Sequence, residues 1–136
     1  MMVPGLACGG DLKGVWREYD DDTGNLAALI RIEKLPDGSY EGSIEKVFPL
    51  SGEDAGLVCE RCPGSLHNHS LRGLRILSGM KRRSDLTFDG GEVLDPDDGK
   101  TYRCRIRLSD DGNTIEVTGY LGVNWIGQSE IWRRAK

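Results

Sequence analysis

Residues 101–108 read TYRCRIRL, with Tyr102, Cys104, Ile106 and Leu108 alternating with Arg103, Arg105 and Arg107. Successive side chains of a β-strand point to opposite faces, so this segment buries one face and wets the other. The turn SDDGNT follows, after which Ile115, Val117, Gly119 and Leu121 alternate with Thr114, Glu116, Thr118 and Tyr120. Asp-Gly-Asn between two alternating runs marks a hairpin, because those residues tolerate positive φ. The pattern also occurs earlier. Ala28, Ile30 and Ile32 share a strand face, LPDGS turns the chain, and residues 40–48 return.

Further strand candidates are 14–19, 74–80, 86–94 and 127–133, making about eight, joined mostly by short turns such as DDDTGN and DPDDGK. No segment carries a convincing helical stripe, although LSGEDAGL has room for one turn. Short meandering strands must stack as two sheets or close into a barrel. Sandwiches need long crossovers, and the one long connection here is roughly 49–70. Closure also removes exposed edges. The expected fold is all-β: an antiparallel up-and-down barrel of about eight strands.

At 136 residues the chain makes one domain, expected over 13–136, with a core that needs no metal. Residues 1–12 are expected to be a flexible leading segment: the remnant of a secretion signal, a lipoprotein acceptor with Cys8 after Leu6-Ala7, or a plain disordered start. Net charge is −4, which gives no electrostatic case for nucleic acid. No apolar run reaches the roughly 18 residues of a membrane helix.

The first strand candidate opens Gly14-Val15-Trp16, and the last ends Ile131-Trp132-Arg133-Arg134. In an up-and-down barrel these strands are neighbours. A guanidinium from Arg133 or Arg134 over the Trp16 ring would close one end and contribute about 0.5–2 kcal/mol. The plain alternative is a core tryptophan and a basic tail. Gly-x-Trp with a closing basic residue resembles the lipocalin and wider calycin signature. From Gly14 to Arg134, the blocks GVW, CERCPG, LRGLRILSGM, GGEVLDPDDGKTYRC and VTGYLGVNWIGQSEIWRR resemble an uncharacterised family of secreted bacterial proteins, a domain of unknown function. The resemblance implies a lipocalin-like barrel in a periplasmic or secreted location, and implies no activity.

Both histidines and two of the four cysteines fall in CERCPGSLHNH. Cys59, Cys62, His67 and His69 supply four zinc-type ligands, but one residue separates the histidines where structural sites commonly have three to five. Arg61 would favour a thiolate, yet the strand and helix of a thioredoxin-like unit are absent from the pattern. A Cys59–Cys62 disulfide is the preferred expectation; its small ring would shape the local loop, making a lid or rim at the barrel mouth. Cys104 lies on the apolar face, as a small buried hydrophobe or as partner to Cys8. In DPDDG the glycine falls fifth after Asp95, where a calcium loop needs a ligand, so the segment reads as a turn.

Barrels of this size are filled by side chains or hold one small ligand. The leading expectation is a site for a small hydrophobic molecule, walled by Ile30, Ile32, Ile44, Tyr102, Ile106, Val117 and Leu121, with Tyr102 as the polar handle. The alternative is a filled barrel acting as an envelope scaffold or interaction module, with Arg103, Arg105 and Arg107 as the surface patch and Glu116 partly neutralising it. No nucleophile, base and acid are arranged in the sequence as a catalytic set, and no spacing singles out a carboxylate pair. No enzyme activity and no cofactor are expected, and the sequence sets no oligomeric state.

Overall fold

The computed structural model describes residues 10–49, 57–120 and 128–135. Among them, eight antiparallel strands pair in chain order and close into a barrel: β1 Gly14–Tyr19, β2 Leu26–Lys34, β3 Tyr40–Val47, β4 Arg75–Arg82, β5 Thr87–Asp95, β6 Lys100–Leu108, β7 Thr114–Tyr120 and β8 Gln128–Arg134. These bounds meet the expected segments to within a residue or two, and the all-β, up-and-down barrel is the fold. A 3-10 turn, Gly64–Leu66, sits in the connection between β3 and β4.

Alternation carries through to the register. Ile106 pairs with Val117 and Leu108 with Ile115 on the buried face, while Arg105 opposes Thr118 and Arg107 opposes Glu116 outside. Asp111 tightens the connecting turn by accepting from the Asn113 amide at 2.9 Å and the Ser109 hydroxyl at 2.7 Å. A register shift between Phe88 and Gly91 falls at the Gly-Gly pair of β5, where a small barrel must bend.

Strand parity divides the turns. Those at 35–39, 83–86 and 109–113 share one end with the approach of the chain into β1; those at 20–25 and 96–99, with the long β3–β4 connection, lie at the other. The first end is plugged. Trp16 is fully buried, and the Arg134 guanidinium lies 4.3 Å from the centroid of its ring. Arg134 also donates to three main-chain oxygens: from Nε to Gly112 at 2.8 Å, from Nη1 to Lys13 at 2.9 Å and from Nη2 to Asp11 at 2.8 Å. The indole Nε1 donates to the Leu12 carbonyl at 2.9 Å. Gly14 follows from this arrangement: its φ is +139°, and a Cβ there would stand 2.8 Å from Arg134 Nη1.

Two expectations change here. Arg133 does not take part in the plug: Trp132 faces inward, so period two turns Arg133 outward, where it is exposed beside Arg17. Leu12, assigned from sequence to the flexible leader, is fully buried, so it belongs to the barrel's packed body.

The plug predicts a specific weakness. Arg134→Ala should destabilise the fold by about 2–4 kcal/mol in denaturant titration, because three carbonyls lose a charged donor and an indole face loses its cover. Arg134→Lys should recover less than half of that, since an ammonium cannot span the three acceptors. Equal stability of Arg134→Ala and the parent protein would contradict this account of closure.

Candidate functional site: an open cavity above the plug

Above the plug the barrel holds a cavity of about 380 Å³. Ile44 of β3, Ile76 of β4, Val93 of β5 and Val117 of β7 form apolar walls, and Trp132 of β8 contributes its indole. Of the wall expected from sequence, Ile44, Tyr102 and Val117 border this space. Ile30, Ile32 and Ile106 do not: they are fully buried in the packed interior. Ile32 pairs with Gly14 at the plugged end, and Ile106 pairs with Phe88, whose ring meets Tyr40 edge-on at 5.5 Å. Leu121 lies outside the described residues. Tyr102 is engaged already, its hydroxyl donating to Asp98.

The unexpected part of the lining is acidic. Glu18, Asp95, Asp98 and Glu130 all border the cavity. Glu18 follows Trp16 by two residues, and Glu130 precedes Trp132 by two on the neighbouring, oppositely directed strand, so both carboxyls rise from the floor on the inward face. The Glu130 carboxyl lies near enough to act on Glu18 electrostatically. Burial and the adjacent Glu130 carboxyl, with Asp97 and Asp95 beyond, push Glu18 up to about 9. Near neutral pH Glu18 therefore keeps its proton, while Glu130 accepts from Trp132 Nε1 at 3.0 Å. Burial raises Asp95 as well. Sequence reading missed this pair, although the signal was present: each acid sits in phase with a buried tryptophan.

The cysteine–histidine segment is tied to the rim of the same opening. Cys59 and Cys62 form a disulfide and are both buried. The segment closes on itself through the Val58–Ser70 bridge and the 2.8 Å bonds Cys59 N to His69 O and Asn68 N to Cys59 O. His67 and His69 are exposed. With both sulfurs bonded to each other, the zinc alternative has no thiolates; no cluster of three or more metal-ligating side chains occurs among the described residues. The segment rests on the turn after β5, where Cys59 Sγ lies 3.8 Å from Pro96 O. Gly99 is the contact point: its φ is +73°, and a Cβ would stand 1.7 Å from Arg61 O. That turn presents Asp95 and Asp98 to the cavity. Cys104 is buried on β6, and burial pushes its thiol up to about 12, far from nucleophilic use. Its suggested partner, Cys8, lies outside the described residues.

One family model, described as an uncharacterised protein conserved in bacteria (DUF2147), matches residues 14–134, which span all eight strands. Among solved structures, the chain is similar to protein HP1028 from the human pathogen Helicobacter pylori, described as belonging to the lipocalin family. Identity is 19%, the TM-score is 0.77, and 93% of this chain and 84% of that one are covered. At that identity the likeness concerns the fold, which is lipocalin-like. No curated protein sequence matches the chain.

Two outcomes follow from the site's geometry. Because Glu18 binds its proton more tightly in the folded state than in the unfolded chain, its contribution to stability is complete below its ordinary value of 4.5 and declines as pH rises towards about 9. Glu18→Gln, which mimics the protonated carboxyl, should flatten that decline and exceed the parent protein's stability by about 1–3 kcal/mol near pH 8 in urea titrations. A variant with the parent's pH slope would refute a proton held on Glu18. Separately, Gly99→Ala should cost about 1–3 kcal/mol and lift the disulfide segment. Tryptic cleavage after Arg61 should then accelerate, and an unchanged cleavage rate would contradict the contact.

Proposed function

We propose that this chain, which belongs to the DUF2147 family of uncharacterised bacterial proteins, is a binding protein that takes one small, mostly apolar molecule into the open end of its barrel. The observation that carries this is the cavity: about 380 Å³ of unfilled space, walled by Ile44, Ile76, Val93 and Val117, above the plug that Arg134 and Trp16 form at one end of the barrel. Apolar space of that size lies within the range of small-molecule sites, and leaving it empty forgoes the dispersion contacts that a filled core gains. Its wall is built on strands, so little reordering accompanies entry. The Cys59–Cys62 disulfide supports work outside the cytoplasm, in the periplasm or beyond the cell, where thiols are oxidised.

The competing reading, a filled barrel that works through its exterior, is less well supported. Arg103, Arg105 and Arg107 are exposed, but Glu92 sits opposite Arg103 and Glu116 opposite Arg107, so the stripe carries its own counter-charges.

A neutral solvatochromic dye such as Nile red should bind saturably, one per chain, and quench tryptophan emission. Val117→Trp, which fills the cavity from β7, should weaken that binding by about tenfold or more, equivalent to about 1.4 kcal/mol, while the circular dichroism of the barrel is kept. Undiminished uptake by a folded Val117→Trp protein would place the dye elsewhere and defeat the proposal.

A further inference from the structure

The lining of this cavity bears on the charge of its guest as well as its size. Four of its residues are acids, and no Lys, Arg or His borders it among the described residues. The stretches 50–56 and 121–127 contain no basic residue either. A fatty-acid-type carboxylate would bring a like charge into a low-dielectric space that already holds acids, which is strongly unfavourable. A neutral guest would leave the acids unmatched.

We propose that the guest is an organic cation: an amine or quaternary ammonium group on an apolar body, its charge seated at Glu18 and Glu130 and its body against Ile44, Val117 and Trp132. The inference rests on the cavity being a ligand site, and it adds the chemical class. Two independent features converge on it. The carboxyl pair stands at the apolar wall rather than on an outer surface, so one positive group can meet both acids while its carbon skeleton stays dry. The indole of Trp132 and the phenol of Tyr102 border the same space, and aromatic faces attract organic cations by about 0.5–2 kcal/mol each. A hard divalent ion is a poorer match, since it demands six or more converging oxygens and no cluster of metal-ligating side chains occurs among the described residues.

The proton on Glu18 is the cation's rival. The charged groups facing it are Glu130 from β8, Asp95 from the end of β5 and Asp97 from the turn that follows, all acids. With the cavity empty, Glu18 keeps its proton. When a fixed positive charge enters, that proton leaves to solvent and the two carboxylates face one cation. Binding should therefore strengthen as pH rises towards about 9, where Glu18 loses its proton unaided.

Isothermal calorimetry on the full chain with three benzyl probes tests this: benzyltrimethylammonium, its neutral isostere neopentylbenzene, and the anion phenylacetate. The ammonium should bind about tenfold or more tightly than the isostere, and phenylacetate should bind most weakly. Between pH 6 and 9 the ammonium's affinity should rise by about tenfold or more, with up to one proton released per probe, read from heats in buffers of different ionisation enthalpy. The probe carries no titratable proton, so any released proton comes from the protein. The double variant Glu18→Gln, Glu130→Gln should lose the ammonium preference and the proton release, binding ammonium no more tightly than the isostere. Equal binding of ammonium and isostere, or tighter binding of phenylacetate, overturns the cation and leaves the apolar cup standing. Ammonium binding without proton release overturns the seat at Glu18. If none of the three probes nor Nile red enters, the cup itself is refuted.

Discussion

Arg134 stands where three separated parts of the chain meet. Its guanidinium donates to the approach into β1 at Asp11 and Lys13 and to the β6–β7 turn at Gly112, while its flat face covers Trp16. Sheet closure depends on it because the seam between β1 and β8 is short, registered through Trp16–Arg134 and Arg17–Arg133. A ladder of that length holds two strands weakly. Side chains must supply what main-chain pairing lacks, and a planar five-donor group is the side chain that reaches several carbonyls at once.

Plugging one end gives the barrel a direction. Trp16 pairs with Arg134, so a step of two forward along β1 reaches the level of Trp132, and a step of two backward from Trp132 along β8 reaches the next inward position above it. Glu18 and Glu130 are those residues. The plug and the acid pair are thus two levels of one construction, and the register that seats Arg134 on Trp16 also brings the two carboxyls together.

Alternation in the sequence resolves the face a side chain occupies, and so the strands, the up-and-down order and the meeting of Gly14-x-Trp16 with the terminal arginines were legible. It does not resolve depth. Ile30, Ile32 and Ile106 have the same phase as Ile44 and Val117, yet the first three pack in the filled portion and the last two border open space; separating them needs the stagger between strands, which no local pattern encodes. Arg133 was misplaced for the opposite reason, since phase relative to Trp132 alone turns it outward. Glu18 and Glu130 escaped because an acid at a strand end reads as solvated rim unless its phase is tracked from the neighbouring tryptophan. Contact between Arg61 and Gly99 joins segments far apart in the chain, and nothing local in either foretells it.

The rim shows how stability and site chemistry are balanced here. An isoleucine pair in place of Glu18 and Glu130 would remove the desolvation that holds a proton on Glu18 at neutral pH, and well-packed apolar replacements of buried ionisable groups are often stabilising. Local consistency between sequence and fold is broken where a protein does something other than fold. The disulfide belongs to the same logic. A ring closed over a separation of three residues restrains the unfolded chain little, so its effect is local: it fixes the segment that braces the Asp95–Gly99 turn. That turn carries Asp95 and Asp98 into the opening, and without a rigid support their mutual repulsion and that of Glu130 would favour swinging outward into water. The cross-link therefore acts on the electrostatics of the cavity, by keeping like charges where unconstrained side chains would not stay.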